Sequence, residues 1–253
     1  MKILLVNPNI SESVTALIKA EAKRAALETT EVFADTVKMG VAYIETPAEA
    51  VVASYATFEL LAQCHTEYDG VVIAAFGDPG VSQAKEMLPI PVIGLTEAAL
   101  ASAFLLGGRF AIVGISERIG YWYQEVIANL GMTRRFAGYS GLGQAFADVG
   151  TVRDEAKAVL LQMCLERVEQ GADSIILAGA PLAGLARDIA DEVPVPLIDG
   201  VGSAVRMLEA MVRGGFGPRK VGPLSPPPDK PQKNLSSSLA KLIGRTGVSL
   251  EQK

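Results

Sequence analysis

Short apolar runs alternate along this chain with longer segments in which apolar residues recur every three or four positions, a pattern typical of alternating strands and helices. Two runs carry the most information: VVIAAFGDPG (Val71–Gly80) and SIILAGAPLAG (Ser174–Gly184). Each breaks abruptly into small residues, glycine and proline, which indicates a buried parallel strand that opens into a tight loop. Because ligands bind beyond the carboxyl ends of such strands, these two loops are candidate parts of one site.

The same periodicities assign elements to most of the chain. Strands are predicted at 2–6, 31–37, 71–75, 92–95, 110–114, 135–138, 174–177 and 197–198. Helices are predicted after a cap at Ser11 or Ser13 and at 46–65, 81–87, 120–129, 153–169, 182–191 and 201–213. The proline-rich stretch 222–230 is predicted to be an extended tail, followed by a short helix at 235–243.

The two halves of the chain match each other. Three pairs of segments correspond at an offset of roughly 105 residues, in the same order, which indicates an internal duplication. We therefore expect an α/β fold of two pseudo-symmetric lobes, each with a mainly parallel four-stranded sheet flanked by helices. The expected boundaries are 1–97 plus 201–220 for the first lobe, 98–200 for the second, and 221–253 for the tail and last helix.

Composition narrows the functional classes. The chain has 253 residues, is 49% hydrophobic and carries a formal charge of −5, so it can bury a large core but offers no basic cluster for nucleic acid. Neither a membrane span nor a secretion signal is evident, which favours a cytoplasmic protein. Cys64, Cys164 and the one histidine, His65, fit no metal motif and no histidine-based triad, so no metal is expected.

Polar groups are expected where the strands end. Asn7 and Asn9 follow the first strand with side-chain amides, and Ser11 offers a hydroxyl at the start of the next helix. The backbone N–H groups of Gly77–Asp78 and Gly179–Ala180 are predicted to lie at helix entries, where free donors and the helix dipole favour a carboxylate or a polarised carbonyl. Plain turn geometry is the alternative explanation for the glycines and prolines of these loops.

Three side chains are candidates for proton transfer. Asp78 leads, because it is the one ionisable side chain in either repeated loop, although it equally suits an Asx-turn cap. Ser11 and Tyr43, the latter in the loop after the second strand, are predicted to reach the same cleft. The aromatic run 121–123 is either a pocket wall, which would place Tyr123 against substrate, or part of the core or of a subunit interface.

A combination of motifs carries a family resemblance. VNPN-x-S near the start, AFGDPG, PVIGLTEAA, PLIDGVGSAV and the proline-rich tail resemble, in order over about residues 2–231, the aspartate/glutamate/hydantoin racemase superfamily, and within it the hydantoin and allantoin racemases. The resemblance implies two α/β lobes, a cofactor-free site between them and a homo-oligomer. It also implies proton abstraction and return at a carbon next to a carbonyl, by two cysteines, one from each lobe.

This chain departs from the family pattern at both cysteine positions. The first position is Ala75, before Phe76 and Gly77, and the second is Gly179, followed by Ala180 and Pro181. These six residues are expected to line the substrate site, but neither replacement can accept or donate a proton. The two-thiol mechanism is therefore excluded for this sequence.

Three functional hypotheses follow. The first is a cofactor-independent enzyme acting on a small ureido, cyclic-amide or amino-acid-like substrate by hydrolytic ring opening or one-base isomerisation. The second is a hydantoin- or allantoin-type racemase in a cysteine-free variant. The third is a non-catalytic protein that binds a small molecule in the same cleft. Turnover that gives a new product would support the first hypothesis. Loss of optical rotation without a new product would support the second, and binding without turnover would support the third.

Overall fold

The computed structural model describes residues 1–143, 148–217, 228 and 230–244. The strands are β1 (Lys2–Asn7), β2 (Glu31–Thr36), β3 (Gly70–Ile73), β4 (Val92–Gly94), β5 (Phe110–Gly114), β6 (Phe136–Gly141), β7 (Ser174–Ala178) and β8 (Leu197–Asp199). The helices are α1 (Glu12–Ala25), α2 (Pro47–Cys64), α3 (Val81–Met87), α4 (Leu95–Leu106), α5 (Gly120–Asn129), α6 (Val152–Glu155), α7 (Lys157–Glu169), α8 (Leu185–Asp188), α9 (Gly200–Arg213) and α10 (Ser237–Gly244). None of the helices within the described ranges is long and apolar enough to cross a membrane.

The strands form two four-stranded sheets with the same topology. Their orders are β2-β1-β3-β4 and β6-β5-β7-β8, and every paired neighbour is parallel. Each sheet belongs to one half of the chain, so the expected fold of two matching α/β lobes is confirmed. All eight strands therefore end at the same edge of their own sheet, where the loops of the candidate site begin.

The central strands are buried on both faces, which explains their continuous apolar sequences. Every residue of β3, β5 and β7 is buried, and β1 is exposed only at Lys2. Helices on both sides remove each sheet from water, so an alternating pattern of apolar and polar residues has no place in these strands.

Helices α4 and α9 lie between the two sheets. They pack on each other, with the Ser102 hydroxyl donating to the Ser203 hydroxyl at 3.0 Å. Leu208 of α9 lies over Gly70 of the first sheet, where a Cβ would come within 2.9 Å of it, and α4 in turn contacts β7 of the second sheet. The lobes are thus joined by a shared helical layer.

A buried ionic cluster forms a second junction. Glu21 of α1 is 5% exposed and accepts from Arg24 on its own helix and, at 2.8 Å, from Arg187 on α8 of the other lobe. A carboxylate this deeply buried requires such partners, because an unpaired buried charge is strongly destabilising. Glu21 therefore ties the second lobe's strand-end region to the first lobe.

The C-terminal helix returns to the first lobe. α10 packs against α2, Leu239 is 1% exposed, and the Ser236 hydroxyl donates to Glu59 at 2.6 Å. Of the predicted extended stretch 222–230, all but residues 228 and 230 lies outside the described residues.

Several predicted elements differ from the structure. α4 was not predicted, and the predicted helix 182–191 is divided into a 3-10 turn at 180–182, the short helix α8 and a second 3-10 turn at 190–192. Pro181 and Gly184, which has φ of +84°, interrupt a continuous helix there. The predicted helix 153–169 is likewise broken into α6 and α7 at Ala156.

Candidate active site

The loops that follow β3 and β7 meet between the lobes. Phe76 from the first loop and Gly179 from the second line one cavity of about 10 Å³, together with Asp199 and Gly200 at the start of α9. Such a volume holds about one water molecule, so the two loops are in close apposition there. Ala75 directly precedes Phe76 and is 7% exposed, so the two positions at which the family resemblance implies a thiol, Ala75 and Gly179, both belong to these loops.

Asp78 anchors the first loop to α4. Its two carboxylate oxygens accept from the backbone N–H groups of Thr96 and Glu97, each at 2.8 Å, while the N–H of Gly77 donates to the Thr96 hydroxyl at 2.6 Å. Asp78 itself has φ of +53°, a left-handed conformation that aspartate adopts more readily than most residues. The expected cap thus exists, but on α4 rather than on the helix that follows the loop.

The environment of Asp78 opposes its ionisation. The pKa of Asp78 is raised to about 7, chiefly by burial and also by the nearby negative charge of Glu97, against the opposing effect of the hydrogen bonds from Thr96 and Glu97. A group that titrates near neutrality is suited to general acid or base catalysis. Both oxygens, however, are occupied by backbone donors, so the catalytic role of Asp78 stays a prediction that this geometry does not favour.

In the second lobe, Asp199 connects a strand-end loop to helix α9 in the same way. Asp199 accepts from the N–H of Gly202 at 2.9 Å and from the N–H of Gly184, in the strand-end loop, at 2.7 Å. Burial raises the pKa of Asp199. In both lobes one carboxylate therefore connects a strand-end loop to the next helix, which assigns Asp199 a positioning role.

Backbone donors remain free in both loops. Among the described residues, the N–H groups of Ala75, Phe76, Gly179 and Ala180 have no hydrogen-bond acceptor. The N–H groups of Gly77 and Asp78, which were also predicted to be free, are not. The Gly77 N–H donates to the Thr96 hydroxyl, and the Asp78 N–H donates to the carbonyl of Ala75. Pro181 has no N–H and begins the 3-10 turn with Ala180, which leaves Gly179 and Ala180 as the second loop's donors.

The two asparagines have different roles. The Asn7 amide donates to Asn9, the carbonyl of Ser11 and Thr15 at 2.9–3.0 Å, so it has no donor left for a ligand, in contrast to the prediction. Asn9 is 5% exposed, and its carbonyl oxygen accepts from Asn7 and from the N–H of Ser11. The Asn9 amide N–H₂ makes no hydrogen bond to any residue in the described ranges, so it is available to a substrate carbonyl.

Ser11 caps helix α1. Its hydroxyl accepts from the N–H of Val14 at 3.3 Å and shares a hydrogen bond with Ser13 at 2.8 Å. These contacts account for Ser11 structurally, and its proposed catalytic role stays untested.

Two of the three neighbouring aromatic residues on α5 cover the first loop. The Trp122 ring packs against Gly77 so closely that any side chain at 77 would overlap it, and the tilted rings of Tyr123 and Phe76 lie 4.8 Å apart between centroids. Tyr121 instead points outward and is 78% exposed. Second-lobe aromatics thus pack on a first-lobe loop as part of the buried core, which was the alternative to a pocket wall.

The loop before α2, which carries Tyr43 and Glu45, lies beside the strand-end loop of Asn9, because the N–H of Ile10 donates to the carbonyl of Val41 at 3.0 Å. Tyr43 is partly buried against the core, and its hydroxyl has no hydrogen bond to the residues that the structure describes. Glu45, which our sequence analysis did not select, carries a charge that raises the pKa of both Tyr123 and Tyr139. Its place in a loop after a strand's carboxyl end was the signal that could have identified it.

The cysteines lie outside this site. Cys64 ends α2 and donates to the carbonyl of Leu60, and Cys164 is buried within α7. Burial raises the pKa of Cys64 to about 11 and that of Cys164 to about 12, so both thiols are protonated at neutral pH and are weak nucleophiles.

Comparison with known proteins agrees with this architecture. The family model described as Asp/Glu/Hydantoin racemase matches residues 3–208. The chain belongs to the Asp/Glu/hydantoin racemase family. This confirms the resemblance carried by the strand-end motifs and the expectation of an enzyme of the racemase and isomerase superfamily.

Individual relatives cover nearly the whole chain. A hydantoin racemase from Paenarthrobacter aurescens is 34% identical over 238 residues, which span 91% of this chain and 99% of that protein. The structure of an allantoin racemase from Klebsiella pneumoniae superposes with a TM-score of 0.89 at 31% identity, covering 94% of this chain and 98% of that one. Arylmalonate decarboxylase shares the fold alone, with a TM-score of 0.63 at 15% identity over 86% of this chain and 97% of that one.

Proposed function

We propose that this member of the family is a cofactor-independent enzyme that transfers a proton at a carbon next to a carbonyl, on a small ureido or cyclic-amide substrate, from one face only. The observation that carries the proposal is the pairing of Ala75 and Gly179 with a retained set of free donors around them. The donors suit a polarised carbonyl, whereas the two positions supply no proton.

The donor set supports this substrate class. Four unpaired backbone N–H groups and the Asn9 amide are hydrogen-bond donors, and a ureido or cyclic-amide group presents several carbonyl oxygens. Donors fixed in place before the reaction also stabilise negative charge that develops on a carbonyl oxygen as the neighbouring C–H bond breaks. The names of the relatives, hydantoin racemase and allantoin racemase, support substrates of this class.

The absence of an acid–base side chain at both positions supports proton transfer on one face only. Racemisation by two residues requires one proton acceptor on each face of the substrate carbon. Gly179 has no side chain and Ala75 has only a methyl group, so a single base elsewhere in the cleft returns the proton to the face from which it was taken. The expected reaction is proton exchange with solvent, with little inversion.

The test is to incubate optically pure 5-substituted hydantoins and allantoin with the protein in D₂O. Loss of the C–H signal in proton NMR is compared with loss of optical rotation, and both are corrected for the rates without protein. We expect exchange that clearly outpaces loss of rotation. Equal enzyme-dependent rates would instead indicate a racemase, a new product a ring-opening enzyme, and saturable binding without exchange a binding protein.

We further propose that the protein is a homo-oligomer. Phe104, Leu105 and Leu106 at the end of α4 are 52%, 78% and 55% exposed, and such a group of apolar side chains is typical of a protein interface. Light scattering of the wild type and of Leu105→Glu tests this: a mass that is a multiple of one chain and that falls in the variant supports it, and a monomeric wild type contradicts it.

A further inference from the structure

Glu45 is held in a fixed position at the entrance to α2. Its backbone N–H donates to Glu49 Oε2 at 2.8 Å, and the N–H of Thr46 donates to the same oxygen at 3.0 Å. The Thr46 hydroxyl accepts in return from the N–H of Glu49 at 3.2 Å. This capping box immobilises the backbone from which the Glu45 side chain projects.

The Glu45 carboxylate has no structural partner. It is partly buried, yet in the described part of the chain it makes neither a hydrogen bond nor an ion pair. The N–H of Ile10 donates to the carbonyl of Val41 at 3.0 Å, so the loop that leads to Glu45 lies beside the strand-end loop that carries Asn9. The charge of Glu45 also raises the pKa of Tyr123 and Tyr139 in the other lobe. A carboxylate that has no partner within the protein is free to accept a proton from a ligand.

Tyr123 presents a second unpaired group at the same place. It is 3% exposed, its ring lies 4.8 Å from Phe76 and 5.9 Å from Tyr139, and its hydroxyl has no hydrogen-bond partner among the described residues. Tyr139, by contrast, donates to the carbonyl of Ser116 at 2.5 Å. The hydroxyl of Tyr123 is therefore free to donate to a ligand.

We propose that Glu45 is the general base of the proton transfer described above and that Tyr123 is the hydrogen-bond donor to the substrate carbonyl. The inference rests on the proposed function. In the forward step the carbon's C–H bond breaks, an O–H bond forms on Glu45, and the electron pair moves onto the carbonyl oxygen, to which Tyr123 donates. In the return step Glu45 gives the proton, exchanged with solvent, back to the same face.

The charged neighbours of Tyr123 distinguish Glu45 from the other acid. Tyr139, Asp78 and Glu45 all act on Tyr123 electrostatically. Of the two carboxylates, Asp78 receives two backbone N–H groups, whereas Glu45 receives none among the described residues. Burial raises the pKa of Tyr123 well above its ordinary value, which keeps the phenol protonated as a donor.

The experiment measures exchange and binding separately in Glu45→Gln and Tyr123→Phe. Both substitutions preserve size and packing while removing one chemical function. Glu125→Gln, an exposed glutamate on the same helix as Tyr123, is the matched control for loss of one carboxylate. Exchange of a 5-substituted hydantoin in D₂O is followed by NMR, and its Kd is read from the fluorescence of Trp122, the chain's one tryptophan, which packs on the Phe76–Gly77 loop.

We expect Glu45→Gln to lower the exchange rate by about 10²-fold or more with a Kd within a few-fold of wild type, because general-base catalysis contributes about 10²–10⁴-fold. Tyr123→Phe should lower exchange at least 10-fold, and Glu125→Gln should leave both readouts unchanged. Exchange at the wild-type rate in Glu45→Gln would overturn the inference while leaving the proposed function intact. A wild type with no exchange on any of these substrates would overturn both, and circular dichroism identifies a variant that has failed to fold.

Discussion

The carboxyl group of Asp78 occupies the space that a side chain at Gly94 would fill. A Cβ built on Gly94 overlaps the Asp78 carboxyl group, which is held there by the N–H groups of Thr96 and Glu97. The absence of a side chain at residue 94 is therefore what allows the first strand-end loop to dock on α4. The conformation of this loop, and with it the position of Ala75 and Phe76, depends on a residue from another strand.

Gly94→Ala should displace this loop. The added methyl group cannot be accommodated without moving Asp78, so we expect a loss of about 1–3 kcal/mol in unfolding free energy, as for other overpacked positions, and weaker ligand binding. Denaturant unfolding and ligand titration measure the two effects. Gly108→Ala is the control, because a Cβ there has one ordinary contact, at 3.4 Å. Equal stability of the two variants would contradict the docking role of Gly94.

The pH dependence of stability should change in Asp78→Asn. Burial raises the pKa of Asp78 to about 7 in the folded protein, whereas an exposed aspartate titrates near about 4. The folded state thus binds this proton more tightly than the unfolded state does. The resulting stabilisation of the folded protein is fully present below pH ~4. It is lost as the pH rises to about 7, by up to about 1.4 kcal/mol of unfolding free energy per pH unit.

The variant lacks this titration. The wild type should therefore become less stable relative to Asp78→Asn as the pH increases from about 4 to 7, in urea unfolding at each pH. Asparagine also tolerates the left-handed conformation at residue 78. A difference between the two proteins that does not vary with pH, or that grows in favour of the wild type, is inconsistent with a raised pKa.

Asn9→Asp and Asn9→Ala should separate the two functions of Asn9. Aspartate keeps the oxygen that accepts from Asn7 and Ser11 but loses the free N–H₂ donor, while alanine loses both. We expect Asn9→Asp to keep most of the stability and to bind a hydantoin at least 10-fold more weakly, since an amide donor is replaced by an acceptor. Asn9→Ala should lose about 1–2 kcal/mol of unfolding free energy in addition. Unchanged binding in Asn9→Asp would remove Asn9 from the site.

Glu21→Ala should loosen the junction between the lobes. It leaves Arg187 without its partner at 2.8 Å, and we expect a loss of about 2 kcal/mol, less than for a fully buried pair because Arg187 is 45% exposed. A double-mutant cycle with Arg187→Ala measures the coupling across the lobes, and Arg24→Ala, which removes the partner on the same helix, is the control. Additive effects of Glu21→Ala and Arg187→Ala would show that the contact contributes nothing.

Restoring cysteines at 75 and 179 should not create an efficient racemase. Gly179 has φ of +117°, which side-chain-bearing residues rarely adopt, so any substitution there should cost about 1–3 kcal/mol of unfolding free energy. A cysteine at Ala75 carries no such backbone cost. We expect the double variant to racemise 5-substituted hydantoins far below about 10 per second in polarimetry. A rate near that value would mean that the second loop still supports thiol chemistry.

The sequence predicted the elements whose signal is local. The strands of both sheets are continuous apolar runs, so their order and the two-lobe fold followed from the pattern. α4 was missed because LTEAALASAFLL is apolar on most of its circumference, being enclosed between two sheets, and so lacks the one-sided periodicity of a surface helix.

The candidate site was predictable in its location but less so in its contacts. The strand-end loops and Asn9 were identified from sequence, whereas the partners of Asp78 lie 18 and 19 residues away along the chain and could not be. Asn7 was selected as a donor because a sequence does not show that its amide is used by Asn9, Ser11 and Thr15. Glu45 was overlooked because Tyr123, on which its charge acts, belongs to the other half of the chain.

The shared layer of α4 and α9 has a consequence for how such a chain arose. Each of these helices contacts the sheet of the opposite half, so a single half would expose an apolar sheet face that its own helices leave uncovered. An ancestral half-length protein with this topology would have required a second copy, so that each copy could cover the sheet of the other with its last helix. Gene duplication and fusion would then have joined a swapped dimer into one chain, which freed the two copies of the strand-end loop to diverge.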